Sequence, residues 1–380
     1  MIGRNRWIGL AGILAVTVGS LAAQGSFTPL GSNKSQAWRM SGDGSVVVGF
    51  RDNLGPVFRW TAEEGTVDIG GADYNVMISK DGKTIVCSTA DAKGVKTAAI
   101  WQGGTTWKSI GGLPNGAPVD NVLSSPYAIS GDGSVIVGLA YAGKNGAVGS
   151  TPHAFRWDAK NGMVDLGSTQ NSQSRANAIS ASGNVIAGWD AAPGGGGTIG
   201  DHNYWMGAVW YGGLEQMMHP YGWTGPVSVI SEDGTVMAGQ GHPLATKHSY
   251  VYTASDGVIE DIGALVRWTF PPPEPNYEDT SYPNAISDDG RMVVGISGYG
   301  FPSFPQEAFI WTPATKMVRL KDYLLAHGVP IPSGWQLVNG TAISSDKKTI
   351  AGFGLNPNGM IEGFVAKLPR QRQLKLDQQE

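Results

Sequence analysis

Short runs of Val, Ile, Phe and Trp alternate along the chain with clusters of Gly, Asp, Asn and Pro, the signature of strands bounded by turns. The run Ala128-Ile129-Ser130-Gly131-Asp132-Gly133-Ser134-Val135-Ile136-Val137-Gly138 shows the unit. Two strands are joined there by a Ser-x-Asp-Gly hairpin turn, whose glycine takes the positive φ that other residues resist. Relatives begin at Arg39, Met77, Ala178, Val229, Ala285 and Ala342, making seven copies, each about fifty residues from the next. Copies four and seven depart from the turn, with Ser182-Gly183 and Asp346-Lys347.

A second landmark, Ala154-Phe155-Arg156-Trp157, is echoed at Val57 to Trp60, Ala98 to Trp101, Gly207 to Trp210, Ser249 to Tyr252 and Ala308 to Trp311. A third, Met163 to Gly167, returns at Thr66 to Gly70, Lys108 to Gly111, Leu214 to Met218, Ile259 to Gly263 and Met317 to Lys321. Each unit is therefore a four-stranded antiparallel sheet, with strands A to D in order. Strand A is apolar on both parities (Ala178, Ile179), and so is strand B (Val46, Val47, Val48), so both faces of the sheet are covered. Small residues recur at one strand-A position (Ala128, Ala178, Ala285, Ala342), as a taper towards an axis requires. The seventh copy has strands A to C but no strand D before the polar tail. The orphan Phe27-Thr28-Pro29-Leu30-Gly31 matches strand D. These features predict an all-β fold: one β-propeller of seven four-stranded blades over 26–368, with the N-terminal strand completing the last blade. A polar tail follows at 369–380.

The stretch Tyr127 to Gly133, continued by His153-Ala154-Phe155-Arg156-Trp157 and Gly162-Met163, resembles the HAF family of extracellular bacterial repeats. The resemblance spans all seven copies, although the His-Ala-Phe triplet itself stands only at His153-Ala154-Phe155. It implies a secreted bacterial protein and carries no catalytic residues with it. The Ser-x-Asp-Gly turn is also similar to that of WD40 propellers, but the Gly-His and Trp-Asp dipeptides of that family are missing.

The first residues support export. Arg4 and Arg6 precede an apolar run from Trp7 to Val18, and Ser20, Ala22 and Ala23 follow, the layout of a signal peptide over 1–25. The run is short and rich in Gly and Ala, so no stable membrane span is expected once it is removed. The formal charge of −4 becomes more negative without those two arginines. Such a chain lacks the basic footprint of a nucleic-acid binder. With Cys87 as its single cysteine, the chain cannot form an internal disulfide, and that residue reads as a small core side chain. Hydrophobic residues make up 41% of the chain and charged ones 15%, which excludes a disordered chain.

Chemistry is expected in the B–C and D–A loops, which vary widely in length, whereas the A–B and C–D turns are short and uniform. The variable loops are Trp189 to Met206, Gln240 to Lys247, Ile296 to Gln306, Gly112 to Ser125 and Ala264 to Tyr282. His153, His202, His219, His242, His248 and His327 fall in or beside such loops, together with many aromatics. Non-repeating aromatics with a polar edge suit a glycan or a protein partner. Trp189, His202, Tyr204, Trp205, Trp223, His242 and Trp268 are the candidate ligand-binding residues. The repeated Trp60, Trp101, Trp157, Trp210 and Trp311 read as blade packing instead, and Asp43, Asp81, Asp132, Asp233 and Asp289 as turn residues. His202, His242 and His248 lack metal-ligand spacing, and Gly194 to Gly197 lacks a strand–helix context. Neither a metal nor another cofactor is expected. The reading is a secreted, extracellular or periplasmic, non-enzymatic binding module. The alternative is an extracellular polysaccharide lyase or hydrolase with a His/Tyr pair in the axial cavity.

Overall fold

The computed structural model describes residues 24–31, 34–51, 55–71, 75–144, 146–168, 172–191, 205–217, 224–241, 247–265, 280–298 and 306–369. The expected targeting segment and polar tail lie almost wholly outside these. The fold is the expected seven-bladed propeller of four-stranded antiparallel sheets. Blade 3 shows the plan, with strands at Ser124–Ile129, Val135–Lys144, Ala147–Asp158 and Gly162–Gly167 in spatial order.

Ring closure follows the expectation as well. The N-terminal strand β1 (Ser26–Pro29) pairs antiparallel with Ile361–Lys367, with Phe27 opposite Ala366 and Thr28 opposite Val365. Leu30 N–H continues the ladder to the Gly363 carbonyl at 2.9 Å. Pro29 costs nothing here because an outer strand has a free edge. One element was not foreseen. After the outer strand of blade 6 (Lys316–Arg319), the chain forms a short helix, α1 (Leu320–Ala326). Lys321, read above as strand, is helical. Leu320 and Leu324 of α1 pack with Val329 and Trp335 against blades 6 and 7, filling the wedge between them.

The Ser-x-Asp-Gly turn is held by a repeated set of bonds. Ser130 Oγ donates to Asp132 Oδ1 at 2.7 Å and accepts the Val135 N–H at 2.9 Å, while Ser134 N–H donates to the same carboxylate oxygen. Ser41, Ser79, Ser231, Ser287 and Ser344 repeat the scheme with Asp43, Asp81, Asp233, Asp289 and Asp346. The turn glycine has a second duty beyond its positive φ. A side chain on Gly133 would collide with Thr84 of the preceding blade, and one on Gly44 would meet Thr349 at 3.0 Å across the closure. In blade 7 Lys347 takes the left-handed φ of 59° instead, and its ammonium bonds Asp289 of blade 6 at 2.6 Å.

These turn carboxylates bear on acid stability. Hydrogen bonds from Ser41 and Ser79 hold Asp43 and Asp81 below the usual carboxylate range, and the backbone N–H groups of Ser134 and Thr235 do the same for Asp132 and Asp233. A carboxylate whose folded pKa is depressed stabilises the fold above its unfolded pKa, here 3.8, and loses that contribution as pH falls through the lowered value. The melting temperature should therefore drop progressively as pH falls below about 4, and Ser130→Ala should make the drop shallower. A flat profile across that window would mean the turn carboxylates do not support the fold.

The turns also meet one another around the axis. Gly42 N–H bonds the Lys80 carbonyl, Lys80 bonds Gly131, Gly131 bonds Ala181, Ala181 bonds Glu232, Glu232 bonds Asp288, and Ser345 bonds Gly42, at 2.7 to 3.1 Å. The Asp288 carboxylate reaches Ser345 across the remaining joint. The result is a collar of turns from all seven blades at the A–B end of the axis. Lys80 of blade 2 spans this collar, with its ammonium 3.1 Å from Glu232 and 2.6 Å from Asp288, which belong to the opposite blades 5 and 6.

Candidate functional site

Behind the collar lies an axial cavity of about 190 Å³ whose wall is drawn from strand A of every blade. A ring of apolar side chains borders it on the collar side: Met40, Ile78, Ile129, Ile179, Ile230, Ile286 and Ile343. Two residues earlier on the strands of blades 3 to 7, nearer the B–C and D–A loops, the wall turns polar. The ladder is broken there by a bulge, between Pro126 and Ala128, Ala176 and Ala178, Val227 and Val229, Pro283 and Ala285, and Gly340 and Ala342. A bulge re-aims the extra residue, and these residues are Tyr127, Asn177, Ser228, Asn284 and Thr341, all in the cavity wall.

Several bulge residues tie one blade to the next. Asn177 Nδ2 donates to the Val227 carbonyl at 2.7 Å, Asn284 Nδ2 to Asn339 Oδ1 at 2.7 Å, and Thr341 Oγ1 to the Ala37 carbonyl at 2.9 Å. Ser228 is too short for the equivalent reach, and its buried hydroxyl has no hydrogen-bond partner.

Arg39 breaks the repeat. It occupies the strand-A position filled by Ala128, Ala178, Ala285 and Ala342 elsewhere, and it lines the cavity. Its guanidinium makes one hydrogen bond, from Nη1 to the Trp38 carbonyl at 2.9 Å. Burial of the group lowers its pKa to about 10, with the Tyr282 phenol nearby acting in the opposite direction. The group stays charged at neutral pH.

Of the candidate ligand residues, the structure brings two together. Trp189 and Trp205 stack with ring centroids 4.4 Å apart and planes 11° from parallel. Arg175 lies 5.6 Å over the Trp189 ring and 4.5 Å over the Tyr127 ring, which carries the row to the cavity wall. Trp189 is not a loop residue. It sits in strand B of blade 4 (Val185–Ala191), opposite Arg175, and is only 2% exposed. Trp205 opens strand C (Trp205–Tyr211) and is half-buried. The loop between them is thus shorter at both ends than the sequence suggests. His202, Tyr204, Trp223, His242 and Trp268 lie outside the described residues.

The described histidines beside the loops serve the blades. His153 is buried at the start of the C–D pairing, with Nδ1 2.9 Å from the Asp165 carboxylate and Nε2 3.1 Å from the Ser172 carbonyl. Both partners can only accept, so both ring nitrogens donate. The bond to Asp165 accordingly raises the His153 pKa against the opposing effect of burial. His248 repeats the arrangement with Asp261 at 3.1 Å in blade 5. In blade 1 Arg51 pairs with Asp68, and in blade 6 Arg319 pairs with Glu307, so a polar clip at the C–D end is a recurring device. His327 stacks on Tyr323 and bonds its carbonyl. Cys87 is fully buried in blade 2. Among the described residues no three His, Cys, Asp or Glu side chains gather as metal ligands would.

No family model matches this chain, and no curated protein matches it. Solved structures share its shape. The β-propeller domain of the Trilobed protease from Pyrococcus furiosus superposes with a TM-score of 0.54 at 12% identity, covering 91% of this chain and 97% of that one. An oligogalacturonate lyase from Vibrio parahaemolyticus superposes with a TM-score of 0.51 at 12% identity, covering 90% and 94%. At such identity the likeness concerns the propeller fold alone, which hosts many unrelated activities.

Arg39 and the bulge row escaped the sequence reading. The signal for Arg39 was present, as a long cation at a position otherwise held mostly by alanine. The bulges had no signal, since one strand read alone does not reveal where its ladder shifts.

Proposed function

We propose that the chain is an exported, non-enzymatic binding propeller of the HAF type that takes a glycan on the side of its B–C and D–A loops. The observation that supports this best is the row from Trp205 through Trp189 and Arg175 to Tyr127, which joins the base of the longest blade-4 loop to the axial cavity. The half-buried Trp205 indole, backed by the buried Trp189, offers a flat apolar face to the C–H surface of a sugar, and the polar wall behind the row offers hydrogen bonds. The collar, spanned by Lys80, leaves the loop side as the side of entry.

Export rests on the basic start, the apolar run and the small-residue exit of the first residues. Cleavage after Ala22, Ala23 or Gly25 leaves the closing strand Ser26–Pro29 in place. N-terminal sequencing of exported protein tests this.

For binding, the purified protein is applied to a glycan array and the strongest ligand is titrated against Trp205→Ala. We expect the affinity to fall at least tenfold while the fold loses about 1 kcal/mol, the worth of one aromatic pair. A silent array accompanied by capture of an extracellular protein would replace the glycan by a protein ligand. Release of new reducing ends or unsaturated sugars from a polysaccharide would replace binding by catalysis.

A further inference from the structure

From the lone cation in the wall of the axial cavity we infer that this cavity is a carboxylate site, with Arg39 gripping the acidic group of the bound sugar. The inference rests on the glycan reading above and adds the chemical class of its ligand. Three observations carry it. Arg39 stands where four other blades place alanine, so blade packing does not call for its length. Its guanidinium lies in the cavity wall with one hydrogen bond, to the Trp38 carbonyl, out of the five N–H donors it carries. Across the space, Ser228 presents a buried hydroxyl that no group among the described residues satisfies.

A half-buried cation without a counter-charge carries a desolvation cost. Among the described residues of the wall Arg39 alone is charged, while Arg175 stands behind the wall, bonded to Asn177 Oδ1 at 2.7 Å and stacked on Tyr127. One guanidinium balances one negative charge, and its planar fork matches the two oxygens of a carboxylate. The volume of about 190 Å³ suits a single sugar unit or a terminal group and excludes a bulky chain.

Calorimetric titration of the full chain with sodium glucuronate, glucose, N-acetylalanine and inorganic phosphate tests the assignment. Glucuronate should bind about 10- to 100-fold more tightly than glucose, the range that hydrogen bonds to a charged group support. Arg39→Met, which copies Met77 at the same position of blade 2, should erase that preference. Its melting temperature should stay close to that of the parent, because a half-buried charge with a single hydrogen bond has been removed. Arg39→Lys keeps the charge, loses the fork and should retain only part of the preference, which keeps the test open if the methionine variant misfolds. Equal binding of glucuronate and glucose, or a preference that survives Arg39→Met, overturns the carboxylate site. So does phosphate binding more tightly than glucuronate. Arg39-dependent binding of N-acetylalanine without glucuronate would uphold the carboxylate site and overturn the glycan reading, so the two can fail separately.

Discussion

Deletion of residues 24–30 should lower the melting temperature by roughly 10 °C or more and leave the protein prone to aggregation. The reason is the position of β1 in the ring. Leu30 is 4% exposed and packs with Ala37 and Met40 of blade 1 and with Val365 of blade 7, so it seals the joint between the first and last blades. Phe27 stacks on Phe364 at 5.2 Å and meets Trp335 edge-on at 5.1 Å. Burial of Leu30 alone is worth about 1.5–3 kcal/mol, and the partly buried Phe27 adds a smaller share. Gly31 N–H also bonds the Glu362 carboxylate at 2.9 Å. Without β1 the strand Ile361–Lys367, nearly all buried, would present an open and largely apolar edge.

Two further measurements separate the strand from mere loss of chain. Leu30→Ala should cost about 2–5 kcal/mol, whereas Thr28→Ala, at an exposed position of the same strand, should cost little. A synthetic peptide spanning 24–31 added to the truncated protein should restore part of the lost stability by strand addition. An unchanged melting curve after deletion would show that β1 does not hold the ring closed.

That closure was readable in the sequence because it is a matter of counting. Strands that are apolar on both parities must be covered on both faces, and a seventh unit lacking its outer strand needs one from elsewhere. The turn glycines were half readable. Their positive φ follows from the Asp-Gly hairpin, but the approach of Gly133 to Thr84 depends on how two blades meet, which no single repeat encodes. Trp189 was misplaced for a related reason. Strand B of blade 4 extends to Ala191 because its partner resumes at Trp205, beyond a long insertion, and the pairing that sets this boundary is invisible before folding. Arg39 lay in plain view as an exception to a small-residue position, yet only the closed ring turns that position into the wall of a cavity.

The same repeat logic governs the strand-C tryptophans, and here burial divides what the sequence treats as equal. Trp210 is fully buried and packs with Val135, Val137 and Ala154 of blade 3 and with Ile179 and Ile186 of its own blade. Trp311 and Trp60 are 2% and 6% exposed. Trp101 and Trp157 are only half-buried, and the Trp101 indole N–H bonds the Gly104 carbonyl at 2.9 Å. Trp210→Ala should therefore cost about 3–5 kcal/mol, the range for emptying a large core site that cannot collapse. Trp157→Ala should cost roughly half as much, in proportion to the smaller area it removes from water. Trp210→Phe offers a finer test, since the buried Trp210 Nε1 has no hydrogen-bond partner. Replacing it with phenylalanine removes an unsatisfied donor along with some volume, so the two effects oppose and the net loss should stay below about 1.5 kcal/mol. Denaturant unfolding of the three variants should rank them Trp210→Ala, Trp157→Ala, Trp210→Phe from most to least destabilised. Equal losses for the two alanine variants would mean that position in the repeat, and not burial between blades, sets the contribution of each tryptophan.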